Sequence, residues 1–442
     1  MLFIAQLPYF CVILQPNKTK KTNEQTNMKR NLISTAFAAL AITTMAQDIK
    51  QVTVTNNSGF QRTAEPVAIN IDEAADIKSA KVTIDGTEIP CQLDDIDGNG
   101  VNDQLFFLTS LDKRQKKTFR VELSSKTTQN TYEAQVYAQM MLTNKKIKSS
   151  NKQDLYISSL TVDNGTNPYW MLHHHGPAFE NEMVAYRIYF DERQTVDIYG
   201  KYRKALELKQ TQFYPDAEQK ASGFGDDVLW VGKTFGVGAL RGWANNAPQM
   251  LQDVDKRTLS IVSRGPLRTI VKVEDRGWNP LYPESCNAAD RIDMTTLYTL
   301  CAGRRDCAVD VSFKGDVSKL QLATGVINVK NSVEFSDNKG LRGCWGTDWP
   351  VSEKDSAGHK RETVGLGIYI PAAYVVSELP ANKDNYPYVV SPTDSSLHYA
   401  ITFASDNETF DGSHHSSKSF FDYLKQWKKE LEKPVTISVK DL

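Results

Sequence analysis

Three consecutive histidines, His173-His174-His175, are followed within seven residues by Glu180 and Glu182 and then by Tyr186-Arg187. Imidazole changes charge near neutral pH, so histidines beside carboxylates, a phenol and a guanidinium form a set able to move protons or hold an anion. Further along, Thr195, Asp197, Tyr199 and Lys201 alternate with Val196 and Ile198, which puts the polar four on one face of a strand. Strand parity also says that three consecutive histidines cannot all face one pocket from an extended backbone. A three-histidine metal centre is therefore not expected, and one or two imidazoles acting in proton transfer are.

This set suits elimination from a sugar acid. Arg187 with Lys201 would neutralise the sugar carboxylate, His175 or His174 would take the proton, and Tyr199 or Tyr186 would protonate the departing oxygen. Glycosidic hydrolysis would instead need two opposed carboxyl groups. Glu180 and Glu182, on the same side of one expected strand, are poorly placed to flank a bond, so they read as substrate-binding groups together with Tyr186. Two aromatic loops add binding candidates: Gly223–Trp230, which offers Asp227 and Trp230, and Cys344–Pro350, which offers Trp349.

A second motif is metal-like. In Asp95-Ile96-Asp97-Gly98-Asn99-Gly100-Val101-Asn102-Asp103, oxygen side chains fall at positions one, three, five and nine of a loop with glycine at six. Calcium wants this density of hard oxygen ligands, and Asp95, Asp97, Asn99 and Asp103 are the expected set. Position twelve is Phe106 rather than a bidentate glutamate. The same residues also make an ordinary hairpin turn that needs no ion; the oxygen count favours a structural Ca²⁺. No organic cofactor is expected.

The elements that must carry these groups read as strands. Val52–Val54, Val67–Ile71, Ala80–Ile84 and Phe119–Leu123 are short, alternating and separated by Asn, Gly and Asp, the pattern of a small β-sandwich over residues 47–125. A polar stretch, Ser124–Tyr132, reads as a linker. Residues 133–442 carry longer alternating segments, among them Glu182–Phe190, Leu267–Val273, Ile292–Leu300 and Ser396–Phe403, which suit a large antiparallel sandwich. Phe420, Leu424, Trp427 and Leu431 mark one face of a C-terminal helix, with Ser419 and Asp422 as its expected capping box, and Val435–Val439 closes the chain as a strand.

The 442 residues carry a formal net charge of -1, which argues against a general nucleic-acid binder. Residues 1–27 read as a misassigned upstream start. Met28-Lys29-Arg30, an apolar core and Thr44-Met45-Ala46 before Gln47 read as a signal peptide over 28–46, too short in its apolar core to span a membrane. The expected location is the periplasm or outside the cell. In such a compartment Cys301 could bridge to Cys307, or either to Cys286. The sequence leaves the oligomeric state open.

The leader, the Asp95–Asp103 loop and the His-His-His-Gly-Pro-Ala-Phe-Glu-Asn-Glu…Tyr-Arg segment together resemble a family of secreted bacterial proteins known only as a domain of unknown function and found in polysaccharide-utilisation loci. The resemblance covers nearly all of the mature chain. It implies a β-supersandwich like that of sugar mutarotases and several polysaccharide lyases, and an oligosaccharide or polysaccharide substrate. The implied activity is that of a carbon–oxygen lyase, a dehydratase or polysaccharide lyase acting on uronate-containing, ulvan-like material. A non-catalytic carbohydrate-binding protein and a glycoside hydrolase are the alternatives.

Overall fold

A computed structural model describes residues 48–128 and 131–442. The expected upstream start at 1–27 and leader at 28–46 lie outside the described residues. The protein is all-β: stacked antiparallel sheets closed by one C-terminal helix, with no barrel.

The larger part is built on a nine-stranded antiparallel sheet. Among the described residues its strands Arg268–Trp278, Ile292–Cys301 and Ser396–Ser405 are the longest, and Cys307–Lys314 lies between the last two at the centre of the sheet. Two five-stranded sheets share one apolar cluster with it, which includes Val271, Tyr298, Val309 and Ile401 from the large sheet and Phe179, Tyr186, Val326 and Tyr388 from the smaller ones. Alternation explains the arrangement: Leu366 and Ile368 point into that core, while Gly365, Gly367 and Tyr369 face the other way.

The other face of the large sheet takes the helix Ser417–Glu432 through Phe420, Leu424 and Trp427. A Cβ at Gly367 would sit 2.5 Å from Leu424 Cδ2, so glycine there lets the helix approach closely. Burying these three side chains contributes roughly 1.5–3 kcal/mol each. The helix begins earlier than the expected capping box, because Ser416 is the N-cap and its hydroxyl accepts from the Ser419 amide.

Residues 48–124 supply four strands of a five-stranded sheet and all of a three-stranded one, around their own core of Val52, Val67, Phe107, Phe119 and Val121. The closing strand, Thr436–Asp441, returns to this first core and pairs antiparallel with Asp48–Thr55. Both ends of the described chain are therefore held in one sheet. Where this part meets the large sheet, Asp94 pairs with Arg268, and Gln92 accepts from the Leu267 and Arg268 amides at 2.8 and 2.9 Å.

All five described cysteines are free thiols, which corrects the expected bridge. Cys307 stands opposite Leu300 and faces the large core. Cys301, one residue further on, points to the opposite face and packs with Phe106 and Leu267. Two side chains on opposite faces of one hairpin cannot meet.

Candidate functional site

The expected strand Glu182–Phe190 is in fact the second half of a hairpin, Ala178–Asn181 and Ala185–Ile188. Asn181 makes the turn. Its Oδ1 accepts from the Met183 and Val184 amides at 2.8 and 2.9 Å, and its Nδ2 donates to the carbonyls of Cys301 and Arg304. Glu182 consequently lies in the turn, where it accepts from the Gly303 amide at 3.1 Å. The hairpin pairs next with Val196–Gly200, in a register that sets Arg187 opposite Asp197 and Ala185 opposite Tyr199. Arg187, Asp197 and Tyr199 thus share the outer face, as parity expects.

Tyr186 does not join them. It lies on the core face, fully buried, and donates to the Arg305 carbonyl at 2.9 Å. Tyr199 is equally buried and donates to Glu207 at 3.1 Å; burial pushes both phenols far up. Lys201 ends in three 2.5 Å contacts, to Glu180, the Asn181 carbonyl and the Ala205 carbonyl. Glu180 in turn accepts from the Glu207 and Leu208 amides at 2.8 Å. Lys201, Glu180 and Tyr199 therefore anchor the 203–208 segment inside the protein. With no exposed atoms to spare, they are unavailable to a sugar.

Arg187 is the hub of what remains. Its guanidinium donates to Tyr214 at 2.9 Å, to Tyr189 at 3.2 Å and to Asp227 at 3.1 Å, pairs closely with Asp197, and lies 4.0 Å over the Phe213 ring. Asp227 is partly exposed, at 20% of its side chain. Burial, together with the Asp197 charge beside it, raises its carboxyl well above the usual carboxylate range.

That carboxyl faces an open cleft made of two adjoining cavities of about 230 and 350 Å³ that share Lys220, Asp226, Asp227, Pro350 and His359. The nine-stranded sheet contributes Glu362 to the lining of the first of these cavities; it is only 6% exposed, accepts from Asn407 and lies 3.5 Å from Lys360. Lys360 also donates to Tyr202 at 3.2 Å. Two carboxyls from different sheets lining one cavity, one of them holding its proton to unusually high pH, are a pairing that general-acid chemistry can use. Trp349 adjoins this cleft through Pro350, under the Arg361 guanidinium. Trp230 stays outside it, half exposed on the neighbouring surface.

The three histidines form a tight turn rather than a strand. His174 and His175 both take positive φ, 41° and 67°, a conformation non-glycine residues rarely hold. Gly176 follows because a Cβ there would run into the Ile188 carbonyl. Burial, reinforced by the Arg187 charge, lowers His173 and His175 to about 4 and holds His174 well below the usual imidazole value. His175 donates from Nδ1 to the Tyr169 carbonyl at 3.0 Å. The buried His173 Nε2 and His174 Nδ1 have no hydrogen-bond partner in the protein. At neutral pH these are uncharged rings, poor as bases.

In the small sandwich, oxygen atoms of Asp95, Asp97 and Asp103 come within 4.8 Å of one another. One oxygen, Asp103 Oδ1, is buried without a partner, which fits a cation. Phe106 is locked in the core and cannot ligate, whereas Glu73 lies beside the loop, accepting from Asn99 at 2.7 Å.

Sequence reasoning missed Tyr189, Tyr214, Lys220, His359 and Glu362 as neighbours of Asp227. The adjacent Asp226-Asp227 after a glycine-rich loop was a signal; for Glu362, in a charged surface-like segment, there was none.

Fold and site define an all-β protein of stacked antiparallel sheets with an open, acid-lined cleft. The chain belongs to the family described as domain of unknown function (DUF4861), which matches residues 54–437. No curated protein matches it. Among solved structures it is similar to a protein in glycosyl hydrolase family 38 from Enterococcus faecalis, at 9% identity and a TM-score of 0.43 over 89% of this chain and 47% of that one. It is similar to an alpha-mannosidase from Enterococcus faecalis V583, at 10% identity and a TM-score of 0.41 over 89% and 46%. A putative kojibiose phosphorylase from the human microbiome follows, at 14% identity and a TM-score of 0.32 over 62% and 36%. The chain thus spans less than half the length of these proteins.

None of the three is a lyase, and the expected carbon–oxygen lyase is corrected accordingly. The interior agrees: Tyr199, Tyr186 and Lys201, cast as acid and clamp, are sealed in the protein. Among the described residues no helix is long and apolar enough to cross a membrane.

Proposed function

We propose that this chain is an exported carbohydrate-active enzyme of the glycoside hydrolase type, with Asp227 as general acid and Glu362 as the opposed carboxylate. Asp227 gives its proton to the glycosidic oxygen as the bond to the anomeric carbon breaks. Water adds to that carbon, and Glu362 accepts the water's proton. The observation that carries this reading is the raised Asp227 carboxyl, lining one cavity together with Glu362 from another sheet.

Lys220, Lys360 and His359 on the same walls suit the carboxylate of a uronate-containing oligosaccharide, the substrate class that the family resemblance implies. Export to the periplasm or beyond, a place in polysaccharide degradation and a structural Ca²⁺ on the Asp95–Asp103 loop complete the proposal.

The test is reducing-end release from uronate-containing oligosaccharides by the Gln47-to-Leu442 protein. Asp227→Asn and Glu362→Gln should each lower the rate by about 10²–10⁴-fold. Cleavage that survives both substitutions refutes the assignment.

A further inference from the structure

Trp170 and Trp230 are 77% and 50% exposed, high values for such large aromatic side chains, and a run of contacts through Tyr169, Arg193 and Gly232 joins them. Between them the surface is built, not loose. Tyr169 and His175 stack in parallel, 3.7 Å apart at 5°, and Trp170 stands at 89° to both. Arg193 lies 4.7 Å over Tyr169 and 5.0 Å over Tyr189, is fixed by Asp191 through 2.8 and 2.5 Å contacts, and reaches the Gly232 carbonyl at 3.3 Å. Trp230 closes over Gly232, 3.6 Å from where a Cβ would be. The strained turn at His174 and His175 holds this wall in place.

Next to these rings in sequence, Asn164, Thr166, Asn167 and Glu192 line a separate cavity of about 250 Å³ together with Leu251, Asp253 and Arg257. Flat rings set at right angles beside amide, hydroxyl and carboxyl groups match a pyranose, which has an apolar face and a hydroxyl edge. Charge points the same way. Asp191 neutralises Arg193, and His175, donating from Nδ1, keeps Nε2 as a neutral acceptor for a hydroxyl. A protein partner would call for a broader and more continuous apolar patch.

We propose that the Trp170–Tyr169–His175–Trp230 surface is a second carbohydrate-binding site, a stacking platform for uncharged faces of sugar rings in an oligosaccharide or polysaccharide chain. It rests on the carbohydrate reading above but not on catalysis at Asp227. A polymer held there would keep its chain on the enzyme while the cleft works elsewhere along it.

Affinity electrophoresis of the full chain through gels containing soluble mannan, xyloglucan, laminarin or alginate tests this directly. At least one polymer should retard the protein, and about 0.5 M NaCl, which screens exposed charges to within a few ångströms, should not abolish the effect. Trp170→Ala and Trp230→Ala should each weaken retardation by about tenfold. Val333→Ala, at an exposed apolar position that belongs to neither site, should migrate as the parent does, and reducing-end release is measured separately, so a failed hydrolase assignment is read separately from a failed platform. Both tryptophans are exposed, so unchanged thermal melting is expected to show the variants folded. No retardation by any polymer, retardation unchanged in the double tryptophan variant, or tryptophan-dependent self-association in place of sugar binding would overturn the proposal.

Discussion

One nitrogen, Arg187 Nη2, contacts both Asp197 and Asp227, on two successive strands of one sheet. The two acids are not equivalent: Asp197 is buried and takes the closer contact, while Asp227 meets the cleft. A single guanidinium between two carboxyls favours leaving a proton on the one it holds less tightly. The relationship separates a buried partner from a working acid.

The raised Asp227 predicts a definite pH signature. A carboxyl whose folded pKa lies above its unfolded value contributes stability at acid pH and loses it as pH rises through the folded value. Asp227→Asn imitates the protonated form and does not titrate. Its urea midpoint relative to the parent should therefore climb between pH 4 and pH 8, while cleavage falls. A difference that stays flat across that range would contradict the shifted carboxyl.

Glu180 and Lys201 give the opposite outcome. Their ion pair is fully buried and holds the 203–208 segment by its backbone. Removing one partner leaves a buried charge alone, a cost of about 3–5 kcal/mol. Lys201→Met should lower stability by that order in urea denaturation. In Glu180→Gln, activity per folded molecule should stay near that of the parent, as expected of groups that hold the fold rather than touch substrate.

The histidine turn should make the protein acid-sensitive. His173 and His175 fall to about 4 in the fold, against a value near 6.5 in the unfolded chain. Between those values the unfolded chain binds more protons, so stability is full above pH 6.5 and declines as pH drops toward 4. The loss should be on the order of 1–3 kcal/mol per ring, discounted for partial exposure. His173→Gln should flatten the slope of urea midpoints measured from pH 7 to pH 4.5. An unaltered slope would place the acid sensitivity elsewhere.

What the sequence disclosed follows from how local each signal is. Alternation in segments such as Ile292–Leu300 reports a strand with two faces, and it placed Arg187, Asp197 and Tyr199 together correctly. The helix stripe of Phe420, Leu424 and Trp427 reports its period in the same way. Long-range facts left no such trace. That the last strand returns to Asp48–Thr55, that Lys201 meets Glu180 inside the protein, and that Glu362 lines the same cavity as Asp227 all depend on sheet order. Polarity alone could not tell a buried ion pair from an exposed one, so the burial of Lys201, Glu180 and Tyr199 left no mark in the sequence.

The Asp95–Asp103 loop offers the last prediction. Three carboxylates gathered within 4.8 Å repel one another, and the loop's own amides satisfy much of their hydrogen bonding but leave Asp103 Oδ1 bare. A divalent cation relieves both penalties, and Glu73 is near enough to Asn99 to supply the carboxylate that Phe106 withholds. Calcium at about a hundred times its dissociation constant should stabilise the fold by about 2.7 kcal/mol. Thermal melting should rise with CaCl₂ and fall back with a chelator. Asp97→Ala should abolish the response, and Glu73→Gln should weaken it by requiring more calcium for the same shift. Magnesium should do less, because its tighter octahedral shell suits this wide set of oxygens poorly. Melting that ignores calcium in the parent would leave the loop as a hairpin turn held by its own amides.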